Sequence, residues 1–115
     1  MSKNQLAPTP AERLRVYRRR QDITQGQMAT RIPMGRERYR DMENGVRPLS
    51  KSCMTLADRV TDLLEHEVLW IRRHRAGLSR SQLAKRVQVT KQWLTQMEHG
   101  EAPVDTLRAF WDQQR

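Results

Sequence analysis

The side chains best equipped for chemistry fall in two short runs of the 115-residue chain. Arg36, Glu37 and Asp41 form the first, and Lys91, Gln92 and Gln96 repeat its spacing. On a helix such a set projects from one exposed face. A helix of that kind can fill a DNA major groove, where Arg36 could fork onto a guanine edge and Glu37 or Asp41 could accept from a cytosine amino group. In the second run Gln92 or Gln96 could pair with adenine, and Lys91 with guanine. Arg38, Arg40 and Arg47 lie beside the first run, placed to hold phosphates. A charged helical face is as readily a solvated one, so Glu37 and Asp41 have a second reading as salt-bridge partners of Arg40 or Arg38. The chain has no nucleophile–base–acid set, no phosphate-cradling glycine loop and no Cys/His group with zinc spacing. Neither an enzyme nor a cofactor or metal site is therefore expected.

These runs must be positioned by elements, and a repeat reveals them. Shifting the chain by 55 residues superimposes Leu14 on Leu69, Arg18 on Arg73, Ala29 on Ala84, Met42-Glu43 on Met97-Glu98, Gly45 on Gly100 and Pro48 on Pro103. With Arg20, Gln27 and Arg31 the identities across residues 14–48 number ten, without a gap. The apolar positions between them match in kind. Each copy reads as three short helices. Thr9-Pro10-Ala11-Glu12 is a capping box with proline at the first helical position, opening a helix to about Gln21. Thr24-Gln25-Gly26-Gln27 and Ser79-Arg80-Ser81-Gln82 open the second helices. Third helices are expected over 36–43 and 91–98, the latter capped by Thr90. Gly45 and Gly100 stop them. Residues 49–68 hold no Gly or Pro, and Met54, Ala57, Val60, Leu64, Val68 and Ile71 recur at helical spacing. That predicts one helical segment packed on both copies rather than a flexible tether. The domains expected are 1–60 and 61–115, in an all-α chain.

Composition agrees with small helical units. Only 37% of residues are hydrophobic and 5% aromatic, too few for one large core. The net charge is +9, and it is uneven: residues 1–60 hold 13 basic and 6 acidic residues, residues 61–115 hold 9 and 7. Phosphate backbones head the partners such a balance suits. The single Cys53 excludes an internal disulfide. No apolar run marks a signal peptide in residues 1–5, and none could span a bilayer. A cytoplasmic, nucleoid-associated protein is the expectation.

The run Leu14…Arg18…Ile23-Thr24-Gln25…Met28-Ala29…Ile32…Met34…Tyr39…Met42-Glu43-Asn44-Gly45…Arg47-Pro48 resembles the Cro and Xre-type helix-turn-helix proteins, the lambda-repressor-like fold. Leu69…Arg73…Leu78-Ser79…Leu83-Ala84…Val87…Val89-Thr90…Leu94…Met97-Glu98…Gly100…Pro103 is similar to the same pattern. Nearly all of residues 11–108 are covered. The resemblance implies tandem helix-turn-helix units on double-stranded DNA, with Gln25 at a phosphate and Arg80 in its place in copy two; Thr90 joins that set at the cap. It also implies a buried ion pair of Arg18 with Glu43, and of Arg73 with Glu98, linking first and third helices. Trp93 stands where copy one has Arg38. It either stacks on a sugar or thymine methyl or packs against protein, the second being the expectation. Trp70, Phe110 and Trp111 are expected in the core or at a subunit contact, and His66, His74 and His99 as surface or capping residues.

A repressor that blocks polymerase by occupying an operator follows from this, of the autoregulatory phage or mobile-element kind, as a monomer or as a homodimer presenting four units. The alternative is an antitoxin or anti-activator working through protein contacts, for which an apolar patch around Trp70, Phe110 and Trp111 would speak. No small-molecule ligand and no membrane are expected.

Overall fold

The computed structural model describes residues 6–114, and the residues read above for a leader, 1–5, lie outside them. All eight elements among the described residues are helices. They fall into two compact units, Leu6–Asp62 and residues 63–114.

Unit one is built of α1 (Pro10–Arg20), α2 (Gln25–Arg31), α3 (Arg36–Glu43) and α4 (Lys51–Ala57). The Thr9 hydroxyl accepts from the Glu12 amide at 3.1 Å while the Glu12 carboxylate accepts from the Thr9 amide at 2.9 Å, so α1 starts where its orphan amides are satisfied. Arg18, Arg19 and Arg20 crowd its last turn, at the negative end of the helix dipole. Asp22, in the left-handed region, turns the chain towards α2, which Thr24 and Gln27 cap in the same reciprocal way. Before α3 stands Gly35, which offers no side-chain cap, yet the helix still begins at Arg36.

Unit two repeats the plan in α5 (Glu65–Arg75), α6 (Arg80–Val87), α7 (Lys91–Glu98) and α8 (Asp105–Asp112). The turn between second and third helices is solved differently in the two. Gln88 adopts a left-handed conformation that the ring of Pro33, at the matching place, forbids. Both turns nevertheless close on one hydrogen bond, Met34 N–H to the Ala29 carbonyl at 2.9 Å and Val89 N–H to that of Ala84 at 3.0 Å. Those two alanines are almost fully buried where the second helix meets the third.

The cores correspond as well. Leu14, Met28, Ala29, Tyr39, Met42, Cys53 and Ala57 fill unit one. Leu69, Leu83, Ala84, Leu94, Met97, Leu107 and Trp111 fill unit two. The first five positions of each set obey the 55-residue shift, but the fourth helix obeys one of 54, Cys53 to Leu107 and Ala57 to Trp111. A fourth helix per unit was therefore invisible to an ungapped repeat, doubly so because small residues in α4 stand opposite large ones in α8.

Residues 49–68 are not one helix, contrary to expectation. α4 tightens at its end, with Arg59 N–H bonded to the Leu56 carbonyl at 3.1 Å and Val60 N–H to that of Ala57 at 3.0 Å. The chain then runs irregularly to Leu64, whose amide donates to the Glu67 carboxylate at 2.9 Å as α5 begins. The apolar spacing came from two helices in series: Val60 and Val68 are buried, whereas Met54 is 40% and Leu64 57% exposed.

Gly45 and Gly100 end the third helices at φ +75 and +74. A methyl group on Gly45 would meet open space, but on Gly100 it would lie 2.8 Å from the His66 ring. Gly45→Ala should therefore cost only the left-handed strain, about 1–2 kcal/mol, measured by urea unfolding of the full chain. Gly100→Ala should cost more, and His66→Ala in the same chain should abolish the excess. Equal losses for the two glycine variants would contradict this account.

Candidate nucleic-acid interface

Each third helix turns a buried side inward and leaves the expected side chains outside. Tyr39, Met42 and Glu43 are buried in α3, while Arg36, Glu37, Arg38 and Arg40 are exposed and Asp41 is half-buried. In α7 the buried set is Leu94, Met97 and Glu98; Lys91 and Gln92 are exposed and Gln96 half-buried. The Asp41 carboxylate lies 3.8 Å from the Arg40 guanidinium, a weak pairing at a wet surface. Thr90 uses its hydroxyl to accept from the Trp93 amide at 3.0 Å, capping α7. Arg47 is exposed in the loop beyond α3.

What holds each third helix is a carboxylate at its last position. Arg18 Nε donates to Glu43 Oε2 at 2.6 Å and Nη2 to Oε1 at 3.1 Å, while Nη1 reaches the Ile23 carbonyl at 2.9 Å. In unit two Arg73 Nε donates to Glu98 Oε2 at 2.7 Å and Nη1 to the Leu78 carbonyl at 3.0 Å. One guanidinium thus ties the first helix, the approach to the second and the end of the third. The side chain at the start of the second helix joins the same carboxylate: the Gln25 amide nitrogen donates to Glu43 at 3.1 Å, and Arg80 Nε to Glu98 at 3.3 Å. Gln25, expected at a phosphate, thus commits one of its two amide hydrogens inward.

Two further partners of Glu43 escaped the sequence reading. The Tyr39 hydroxyl donates to Oε2, and Arg15 donates to the Glu43 carbonyl at 3.1 Å and to Asn44 Oδ1 at 2.8 Å, capping the end of α3. The repeat could not flag them, because Leu94 and Trp70 occupy those places in unit two. Burial alone would lower the Arg18 pKa, but the hydrogen bond and charge of Glu43 outweigh it and hold it above its ordinary value. Burial pushes the Tyr39 hydroxyl up, and its bond to the Glu43 carboxylate adds to the rise. Two further unforeseen ion pairs brace unit two, where Arg108 grips Glu65 at 2.5 and 2.6 Å and Asp105 at 2.7 Å. These bonds raise the Arg108 pKa.

Trp93 corrects an expectation. It does not pack into the protein but stands 42% exposed on α7. Trp70 and Trp111 are buried, at 6% and 9%, and Phe110 packs half-buried beside the core. His66 lies beneath Gly100, His74 meets the Trp70 ring edge-on, and His99 Nδ1 sits 2.8 Å from the Thr95 carbonyl.

Arg18→Met should cost about 3 kcal/mol, because it strips the fully buried Glu43 of its bidentate partner. Arg18→Met with Glu43→Leu should recover much of that loss in urea unfolding, and a double variant worse than the sum would refute the pairing argument. A second expectation follows from Tyr39. Its pKa is higher folded than unfolded, so its contribution is complete below the unfolded value of about 10 and falls progressively as pH rises from there towards the folded value. Tyr39→Phe should therefore be less stable at neutral pH, with its deficit against the parent shrinking above about pH 10. Parallel pH curves would rule this out.

A model of the helix-turn-helix domain family matches the chain twice, over residues 11–71 and 67–111. Searches among curated proteins and among solved structures find no match. No helix among the described residues is long and apolar enough to cross a membrane. The two matches cover most of the chain and each contains one of the carboxylate-anchored third helices, and the chain belongs to the helix-turn-helix domain family as a DNA-binding protein with two tandem units of the Cro and Xre type.

Proposed function

We propose that the chain is a sequence-specific transcriptional regulator that represses by occupying an operator. The observation that carries this reading is the pair of third helices, each anchored by a buried glutamate that an arginine of the first helix grips and each presenting a polar outer face. A helix held rigidly at one end can keep its outer side chains in register with base edges. In this reading Arg36, Glu37 and Asp41 read bases in unit one, and Lys91, Gln92 and Gln96 in unit two. Gln25, Arg38, Arg40 and Arg47 hold phosphates beside α3, as Arg80 and Thr90 do beside α7.

The two faces share no residue, so the half-sites they read differ. α3 offers arginines and carboxylates suited to G·C pairs; α7 offers two amides suited to adenine and a lysine suited to guanine. Tethering the units in one chain raises the effective concentration of one for the other, and a two-part site gains affinity accordingly. A homodimer would extend the site to four parts. The antitoxin or anti-activator alternative called for an apolar surface around Trp70, Phe110 and Trp111. Two of those three are almost fully covered, which favours the operator reading.

Selection of duplexes from a random pool, followed by footprinting, tests this directly. An enriched asymmetric sequence is expected. Arg36→Ala should relax preference at one base pair by about 1–3 kcal/mol, whereas Arg38→Ala should weaken all sequences alike and lower the salt slope by about one. A pool that yields no enriched sequence would sink the reading.

A further inference from the structure

Resting on that reading, we propose that Trp93 is a specificity residue of unit two, packing its indole against a thymine methyl group in the major groove. Among the described residues the large exposed hydrophobic side chains are Val46, Met54, Leu64 and Trp93. Of these, Trp93 alone lies on a third helix. Its placement follows from α7 itself. Leu94 and Met97 take the inward side, and the bond from the Trp93 amide to Thr90 sets the first turn. Gln92 and Gln96 are one turn apart and share a face, and Trp93, three residues before Gln96, borders it. The indole is therefore beside the two side chains that match adenine.

The chemistry of the neighbourhood selects the partner. The one carboxylate of α7, Glu98, is fully buried on Arg73, so the outer face presents amides, one ammonium and one aromatic ring. Lys85 and Arg86 are exposed on the preceding helix. A face of neutral amides and cations repels a basic partner and suits an anionic one. On duplex DNA the apolar feature in the major groove is the thymine C5-methyl, carried by the partner of the adenine that a glutamine reads. An indole next to two glutamines thus addresses both halves of an A·T pair. In unit one the same position is Arg38, exposed and cationic. The substitution exchanges a salt-sensitive phosphate contact for a methyl contact that salt hardly touches.

The test uses the full chain and the duplex recovered by selection from a random pool. Each thymine is replaced singly by uracil, which pairs identically and lacks only the methyl group. Removing a buried methyl should weaken binding about fourfold at one or two thymines under unit two. Trp93→Ala should bind more weakly and lose that sensitivity, and Trp93→Phe should keep part of it. Trp93→Arg should restore affinity at low salt, with a steeper salt dependence and no uracil effect. Fluorescence offers an independent readout, since Trp70 and Trp111 are buried and acrylamide quenching reports mainly on Trp93. Its quenching should fall when the selected duplex is added. A flat uracil scan, or a uracil penalty that persists in Trp93→Ala, overturns the proposal while leaving sequence-specific binding intact. Shielding of Trp93 by self-association without DNA also overturns it. An unenriched pool removes the operator reading and this proposal together.

Discussion

In both units an arginine on the first helix closes on a glutamate at the last position of the third, and the remaining architecture is arranged around that closure. Taking a carboxylate out of water is costly, and its attraction to a guanidinium repays the cost only when the geometry is close and the remaining lone pairs are satisfied. Glu43 meets both conditions, with Arg18 bidentate and Tyr39 and Gln25 on the remaining lone pairs. The value of such a pair lies less in net stability than in position. A carboxylate that accepts from three elements cannot be satisfied if the third helix slides or rotates.

On that shared frame the two units have diverged. Unit one surrounds its carboxylate with a hydroxyl, an amide and a second arginine at the helix end; unit two has a leucine for the tyrosine and an arginine for the glutamine. Unit two gains a separate brace, Arg108 between Glu65 and Asp105, where unit one relies on the small buried side chains of α4. The outer faces differ further, arginines and acids against amides and an indole. Frame and face can differ separately because they point opposite ways from one helix. A change outside leaves the buried network untouched.

Much of this could be read in the chain. Capping boxes at Thr9, Thr24 and Ser79 placed helix starts because a side chain three residues away satisfies the same amides whatever surrounds it. Glycines at 45 and 100 placed the stops. The arginine–glutamate pairs were implied by the family resemblance, at charged positions identical in the two copies. Misreadings arose where periodicity was ambiguous. Val60 and Val68 are buried and eight apart, a helical interval, but they belong to different units. The exposed Trp93 was misjudged because an indole is usually covered, and nothing local says otherwise.

The duplication, the helix boundaries within residues 9–45 and 79–100, and the two polar runs on the third helices were all readable from the order of residues. These are short-range matters of capping, backbone conformation and spacing. Which groups surround Glu43, the capping of α3 by Arg15, the completion of the cores by α4 and α8 under a one-residue register change, and the bridge from Arg108 to Glu65 emerged with the packing of the helices. Each joins groups far apart in the chain, and their meeting depends on how helices pack. The polar runs themselves show both halves of this division. Spacing put them on a helix, but the buried carboxylate behind them turned that helix outward.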